Sequence, residues 1–300
     1  MSEVAAGVFL SLETTLAERQ RQVEEALLEW APAGETPAIL EAARYSLFAP
    51  SRRLRPVLAL LVADVLGGDA HSVLPAACAI EMLHTSSLML DDLPCMGDAR
   101  QRRGRPACHI TFGEANTVLA SFTLLNRAFE VLAQGWPGGP VATTRHEIAQ
   151  DLGRAAGPSG MIAGLASELA MTGGGMRFET LEFIHHRKTG ALFIAAAALG
   201  ARAAGAAPWA QRAVTGYARN LGLAFEIVDE VIDASGEAET PGRAVQRERK
   251  TTSFVSFAGL AGARQIADEL IAAGQEALQA FGPAAEPLRD LARYVVARKR

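Results

Sequence analysis

The sequence predicts an all-α fold, and three observations carry that prediction. Of the 300 residues 49% are hydrophobic but only 6% aromatic, so the core must be built mainly from Ala, Leu, Val and Ile. Ala and Leu stand at the top of the helix-propensity order. Apolar residues recur at helical spacing, and no alternating stretch is long enough to read as a strand.

Each element follows from its own signals. Acids and bases interleave with Leu, Val and Ala from Ser11 to Leu28, predicting an amphipathic first helix that the segment from Pro32 to Pro37 ends. A second helix covers Ala38 to Leu47, ahead of Pro50. Arg52, Arg53 and Arg55 then precede an apolar helix from Val57 to Leu66. Such a basic run is ordinarily a solvated face, but free N–H groups at a helix start also suit it to hold an anion. Gly67-Gly68 is a loop, and Ser72 to Leu90 is a long apolar helix carrying His84. Helices follow over Glu114 to Leu132, Thr143 to Ala156 and Met161 to Met171. Gly173 to Gly175 reads as a hinge; without a preceding strand and a following Lys-Ser/Thr it is no P-loop. Phe178 to Ala204 holds the polar run His185, His186, Arg187, Lys188 and Thr189 ahead of a buried alanine-rich helix. Pro208 starts a helix that ends in Glu226, Asp229 and Asp233. Ser235 to Arg249 reads as a loop closed by Lys250-Thr251-Thr252. Two amphipathic helices, Ala261 to Ala280 and Ala284 to Arg298, complete the chain, and the RKR terminus is expected in solvent. Residues 1–300 read as one domain.

Composition excludes several classes. A net charge of -4 gives no general nucleic-acid footprint. Cys78, Cys95 and Cys108 are odd in number and lack CxxC spacing, so neither a disulfide framework nor a zinc site is indicated. The N-terminus has no basic segment followed by a long apolar core. The apolar run Gly190 to Ala201, between Lys188 and Arg202, is too short to span a bilayer. A cytoplasmic protein without stable membrane insertion is expected.

Two acidic clusters each close an apolar helix. In the first, Leu88 to Leu90 delivers Asp91 and Asp92, followed by Asp98 and by Arg100, Arg102, Arg103 and Arg105. Hard carboxylate oxygens suit Mg²⁺, and guanidinium forks suit phosphate oxygens. A surface salt-bridge network fits the same pattern. In the second, Asp229 and Asp233 share one helix face, with Glu226 one turn earlier. Like charges stacked on a partly buried helix repel unless a cation lies between them, which tilts this cluster toward a metal.

With both clusters placed, the chain resembles the trans-isoprenyl diphosphate synthases, and within them the bacterial geranylgeranyl diphosphate synthases. Asp91-Asp92 through Arg102-Arg103-Gly104-Arg105-Pro106 is similar to the first aspartate-rich motif, and Asp229-Glu230-Val231-Ile232-Asp233 to the second. Arg52-Arg53-Leu54-Arg55-Pro56 resembles the basic motif, Lys188-Thr189-Gly190 and Lys250-Thr251-Thr252 the two lysine motifs, and Phe112-Gly113-Glu114-Ala115 a further family segment. The resemblance runs from about Arg52 to Arg264, with these motifs in order.

The resemblance implies an isoprenoid synthase-type helical bundle around a deep apolar cavity, with the aspartate motifs facing each other at its mouth. It implies that Asp91, Asp92, Asp229 and Asp233 gather Mg²⁺ around the diphosphate of an allylic substrate. Arg102, Lys188 with Thr189, and Lys250 would bind that diphosphate; Asp91, Asp92, Lys188 and Asp229 would form the catalytic set. Arg52, Arg53, Arg55, His84 and Arg103 would hold isopentenyl diphosphate. A homodimer is implied as well. Ser86 and Ser87 stand where short-product members often carry aromatics, so small residues there favour a twenty-carbon product.

The chain also departs from the family pattern. The third aspartate of the first motif falls at Gly97, with Asp98 one residue late; the second aspartate of DDxxD is Glu230. Arg52 replaces the lysine of the basic motif, Glu226 a usual glutamine, and Gly164-Leu165 with Glu168-Leu169 a GQxxDL-like segment. Three functions are compatible with these residues: an active prenyltransferase making geranylgeranyl diphosphate, an impaired homologue that tunes an active synthase, and a terpene synthase-like enzyme. Retention of Arg53, Arg55, His84 and Arg103, which only a second diphosphate needs, favours condensation.

Overall fold

The computed structural model describes residues 3–170, 177–235 and 253–298. Lys250, Thr251 and Thr252 therefore lie outside the described residues, as do the predicted Gly173 to Gly175 hinge and nearly all of the loop from Ser235 to Arg249.

The described chain is a bundle of α-helices: α1 (Glu3–Trp30), α2 (Pro37–Leu47), α3 (Leu54–Val65), α4 (Ala70–Asp91), α5 (Cys108–Phe112), α6 (Glu114–Gln134) and α7 (Ala142–Ala156). There follow α8 (Met161–Ala170), α9 (Phe178–His185), a π turn (His186–Gly190), α10 (Ala191–Ala203), α11 (Pro208–Ser235), α12 (Phe254–Ala277), a 3₁₀ segment (Gln279–Ala285) and α13 (Glu286–Ala297). Helix α4 runs through the middle, beside α3 and α6; α10 packs on α3 and α11, and α12 lies along α11.

The local reasons are legible. Asp69 caps α4 by accepting the His71 N–H at 3.0 Å. Ser253 and Ser256 cap α12 reciprocally at 3.1 and 2.9 Å. Every residue from Leu54 to Ala63 is buried, as expected of a helix apolar on all sides. Helix α4 is long and apolar enough to cross a membrane, yet 78% of its apolar window is buried inside the bundle, so its apolarity serves packing.

A strand pair and the short helix α5 are absent from the sequence expectation. Gln101–Arg102 (β1) and Arg105–Pro106 (β2) pair antiparallel across an Arg103-Gly104 turn. Both turn residues have positive φ, 53° and 74°, the geometry of a tight two-residue hairpin. Two residues per strand are too few to leave an alternation pattern.

Candidate active site

Left-handed backbone marks the site first. Among the described residues the non-glycine positions with positive φ are Arg53, Asp98 and Arg103, all inside the motifs that predicted a diphosphate site. Strain of this kind costs on the order of 1–3 kcal/mol and concentrates at functional positions.

The first acidic pair splits. Asp91 lies at the end of α4, where its Oδ1 is 3.2 Å from Lys188 Nζ. Asp92 is buried, and both of its carboxylate oxygens take hydrogen bonds from the Arg102 guanidinium. Burial pushes the Asp92 carboxyl above its ordinary range, against the opposing pull of Arg102. A predicted metal ligand and a predicted diphosphate contact thus hold each other here.

Lys188 is carried by the π turn, a local widening often found at functional sites. It also donates to Glu168 Oε2 at 2.6 Å, so Glu168, a departure in sequence, belongs to the site. The turn approaches α8 closely: a Cβ at Gly164 would meet the Lys188 backbone nitrogen at 2.5 Å. Thr189, the next residue, donates to Glu226 Oε2 at 3.0 Å. One turn of helix therefore links the two acidic motifs.

The second motif divides likewise. Asp229 Oδ1 is 2.9 Å from Arg298 Nη1, whose side chain is only 5% exposed and stacks 3.9 Å from the Phe225 ring. The expectation of a solvated terminus therefore fails for Arg298; the cation that relieves the Asp229 face is partly the chain's own. Glu230 turns inward, accepting the Phe254 N–H at 2.7 Å and facing His185 Nε2 at 3.0 Å. Asp233 ends the same stretch of α11, half-buried.

The basic motif yields a second correction. Arg53 points into the bundle, where it donates to Glu24 and Glu81, each at 2.7 Å, and to the Leu47 carbonyl at 2.6 Å. Its side chain is fully buried, so it does not offer the expected open contact to a diphosphate. Because the left-handed Arg53 backbone precedes α3, alternate residues of the motif face different ways. Arg52 lies over the Tyr294 ring. Arg55 reaches His84 Nε2 at 3.1 Å and covers the Phe193 ring at 4.6 Å.

Arg55, His84 and Arg103 form a basic cluster in which Arg55 is buried and the other two are half-buried. Glu81, its counter-charge, lies 3.8 Å from Arg103 but already pairs with Arg53. Burial lowers the Arg55 pKa to about 10 and pulls Arg103 down. Burial and then the neighbouring Arg55 and Arg103 hold His84 well below its ordinary value, so it is neutral and accepts from Arg55. Arg55 Nε is buried with no hydrogen-bond partner. Glu81 carried no sequence signal beyond a place on α4; a buried acid three residues before His84 became meaningful only with the pairing.

The predicted chain-length residues are both buried. Ser86 Oγ bonds Ser121 Oγ at 2.9 Å, and Ser121 also donates to the Ser86 carbonyl at 3.0 Å. Helix α6 thus supplies the neighbour of Ser86, which sequence alone did not identify.

Gly97 is held by its surroundings. Its N–H donates to the Asp91 carbonyl at 2.7 Å, and a Cβ there would come within 2.5 Å of that oxygen. Asp98 follows in left-handed backbone, so the motif's last acid is re-aimed by the turn as well as shifted by one residue.

Comparison with known proteins agrees with this arrangement. Residues 36–281 match the polyprenyl synthetase family. The chain is 38% identical over 291 residues to the geranylgeranyl diphosphate synthase of Cyanophora paradoxa, spanning 96% of this chain and 97% of that one. It is also 38% identical to the chloroplastic geranylgeranyl pyrophosphate synthase 9 of Arabidopsis thaliana, over 87% of this chain and 74% of that one. The crystal structure of an FPP/GFPP synthase from Zymomonas mobilis superposes with a TM-score of 0.85 at 32% identity, covering 96% of this chain and 99% of that one. The chain belongs to the polyprenyl synthetase family and is, by sequence and fold, a short-chain trans-prenyltransferase.

Proposed function

We propose that this chain condenses isopentenyl diphosphate with an allylic diphosphate and releases geranylgeranyl diphosphate. The basic pocket carries this reading. Buried Arg55 and half-buried Arg103 flank a neutral His84, with a carboxylate already engaged elsewhere and Arg55 Nε unsatisfied. Buried cations short of a counter-charge call for an anion, and a diphosphate supplies oxygens for guanidinium forks. A terpene synthase-like enzyme has no second diphosphate to place there.

The allylic diphosphate belongs at Lys188 and Thr189, beside the acidic motifs. The donor set at Asp91, Asp229 and Asp233 is all carboxylate oxygen and partly exposed, which fits Mg²⁺. Asp92 joins that set only by exchanging Arg102. When bound, the ion supplies charge stabilisation to the departing diphosphate. The protein's part is to orient and to neutralise. Lys188 meets the leaving group as its carbon–oxygen bond ionises, while Arg55, His84 and Arg103 hold the isopentenyl double bond against the allylic carbon. The new carbon–carbon bond leaves a tertiary cation, and its proton passes to the released diphosphate. The twenty-carbon product is favoured by the small side chains at Ser86 and Ser87. By the family resemblance the enzyme is a homodimer.

The test is diphosphate release from the purified chain with Mg²⁺. Release should require both substrates and should stop on chelation. Release from an allylic substrate alone would favour ionisation without condensation, and none from either would favour a partner-subunit role.

A further inference from the structure

We infer that His185, Glu226 and Glu230 form a second divalent-metal site, built for a nitrogen- and oxygen-liganded ion of the Zn²⁺ class rather than for Mg²⁺. This goes beyond the prenyltransferase reading, which assigns these three residues nothing.

One ring nitrogen of His185 and one carboxylate oxygen from each glutamate lie within 4.8 Å of one another. His185 Nδ1 is 3.4 Å from Glu226 Oε1, and Nε2 is 3.0 Å from Glu230 Oε1. The two carboxylates meet different ring nitrogens, so a single ion takes one nitrogen and draws in the carboxylate from the other edge. Ligand atoms about 2.0–2.1 Å from a tetrahedral ion stand roughly 3.3 Å apart, so the set, now within 4.8 Å, must contract around it. The site is dry: His185 is 3% and Glu230 7% exposed, and the Phe254 ring lies against the imidazole at 5.6 Å.

Two further observations point to a ligand. Each carboxylate has its outer oxygen fixed by a donor, Glu226 Oε2 by the Thr189 hydroxyl at 3.0 Å and Glu230 Oε2 by the Phe254 N–H at 2.7 Å. That is how outer-shell hydrogen bonds orient metal-binding carboxylates. The inner oxygen of Glu230 is buried and accepts no hydrogen bond, which is costly for a carboxylate unless a cation faces it. The sequence adds a third: Glu226 and Glu230 are two of the positions where this chain departs from its family's pattern, and both departures fall on this one histidine.

Imidazole with two carboxylates suits Zn²⁺ and its neighbours, whereas Mg²⁺ demands six oxygens and dehydrates reluctantly. Bound there, the ion ties α11 to the end of α9, immediately ahead of the π turn carrying Lys188 and Thr189. Occupancy would then set where the diphosphate-binding lysine stands.

The test uses the full chain, stripped with chelator and titrated with Co²⁺ in the absence of any diphosphate. The expected result is one retained equivalent with visible d–d absorption, displaced by Zn²⁺ and not by millimolar Mg²⁺. Glu230→Gln and His185→Asn should each abolish the band, while Asp91→Asn should keep it. Zinc-edge X-ray absorption of the native protein, which does not depend on a variant folding, should show imidazole scattering. Absence of any band, a band lost in Asp91→Asn but kept in His185→Asn, or zinc without imidazole would each overturn the site. The first would leave the two carboxylates bridged by His185 alone. None of these outcomes bears on condensation, which is assayed separately with Mg²⁺.

Discussion

Arg53 Nη1 donates to Glu81 Oε1 at 2.7 Å, and both side chains are buried. The pair joins the start of α3 to the middle of α4, and Glu81 in turn faces Arg103. Arg53 is therefore a positioning residue for the basic pocket. Removing one partner of a buried pair leaves an uncompensated charge, which costs about 3–5 kcal/mol. Arg53→Ala and Glu81→Gln should each lose stability on that order in chemical denaturation, since each leaves the opposite charge buried without this partner. A stability change under about 1 kcal/mol, the range of exposed pairs, with a selective rise in KM for isopentenyl diphosphate would instead restore a direct contact.

Gly97 stands where the family pattern places the third aspartate of the first motif, but restoring that aspartate is not a simple rescue. The Asp91 carbonyl, 2.5 Å from where a Cβ would sit, forbids this without moving the end of α4. Gly97→Ala and Gly97→Asp should both lower the thermal midpoint and both lower activity. An aspartate variant more active than the native chain would show that the turn rearranges freely.

His84 provides a pH signature. Its folded pKa lies below the ordinary value of 6.5, so between the two the unfolded chain binds more protons than the folded one. Stability is then fully present above about 6.5 and falls as the pH drops toward the folded pKa. Thermal midpoints from pH 7.5 down to 5.5 should decline, with the decline reduced in His84→Gln. Superimposable native and variant curves would place the titrating group elsewhere.

The proposed twenty-carbon product rests on the small residues Ser86 and Ser87, and the Ser86 hydroxyl meets that of Ser121 at 2.9 Å. A phenylalanine at 86 adds volume at that point and costs roughly 1–3 kcal/mol as overpacking. Ser86→Phe should shift products toward fifteen carbons by mass spectrometry while remaining folded. Unchanged products from a folded variant would remove Ser86 from the determinants of length.

Much of this was legible in the chain. The helices follow from apolar spacing and from breakers such as Pro50 and Gly67-Gly68, and the motifs place Asp91, Lys188, Arg55 and His84 at one site. What was not legible depends on side-chain direction. Three arginines within four residues read alike, yet Arg53 turns into the core while Arg55 turns to His84, because a left-handed residue starts α3. Asp91 and Asp92 are neighbours in sequence but part toward Lys188 and Arg102. Arg298 lay in a terminal basic run, where nothing local signals that it packs on Phe225 and reaches Asp229. Glu168 registered only as a departure from a pattern and Glu226 only within its own acidic cluster, since their partners Lys188 and His185 are tens of residues away.

The most direct test is the product formed when the purified chain is incubated with Mg²⁺, isopentenyl diphosphate and each allylic starter in turn, read by mass spectrometry. The cluster of Arg55, His84 and Arg103, proposed as the place of a second diphosphate, predicts condensation, with a twenty-carbon diphosphate as the main product. Absence of any chain-extended product from every starter, in protein shown to be folded, would contradict it.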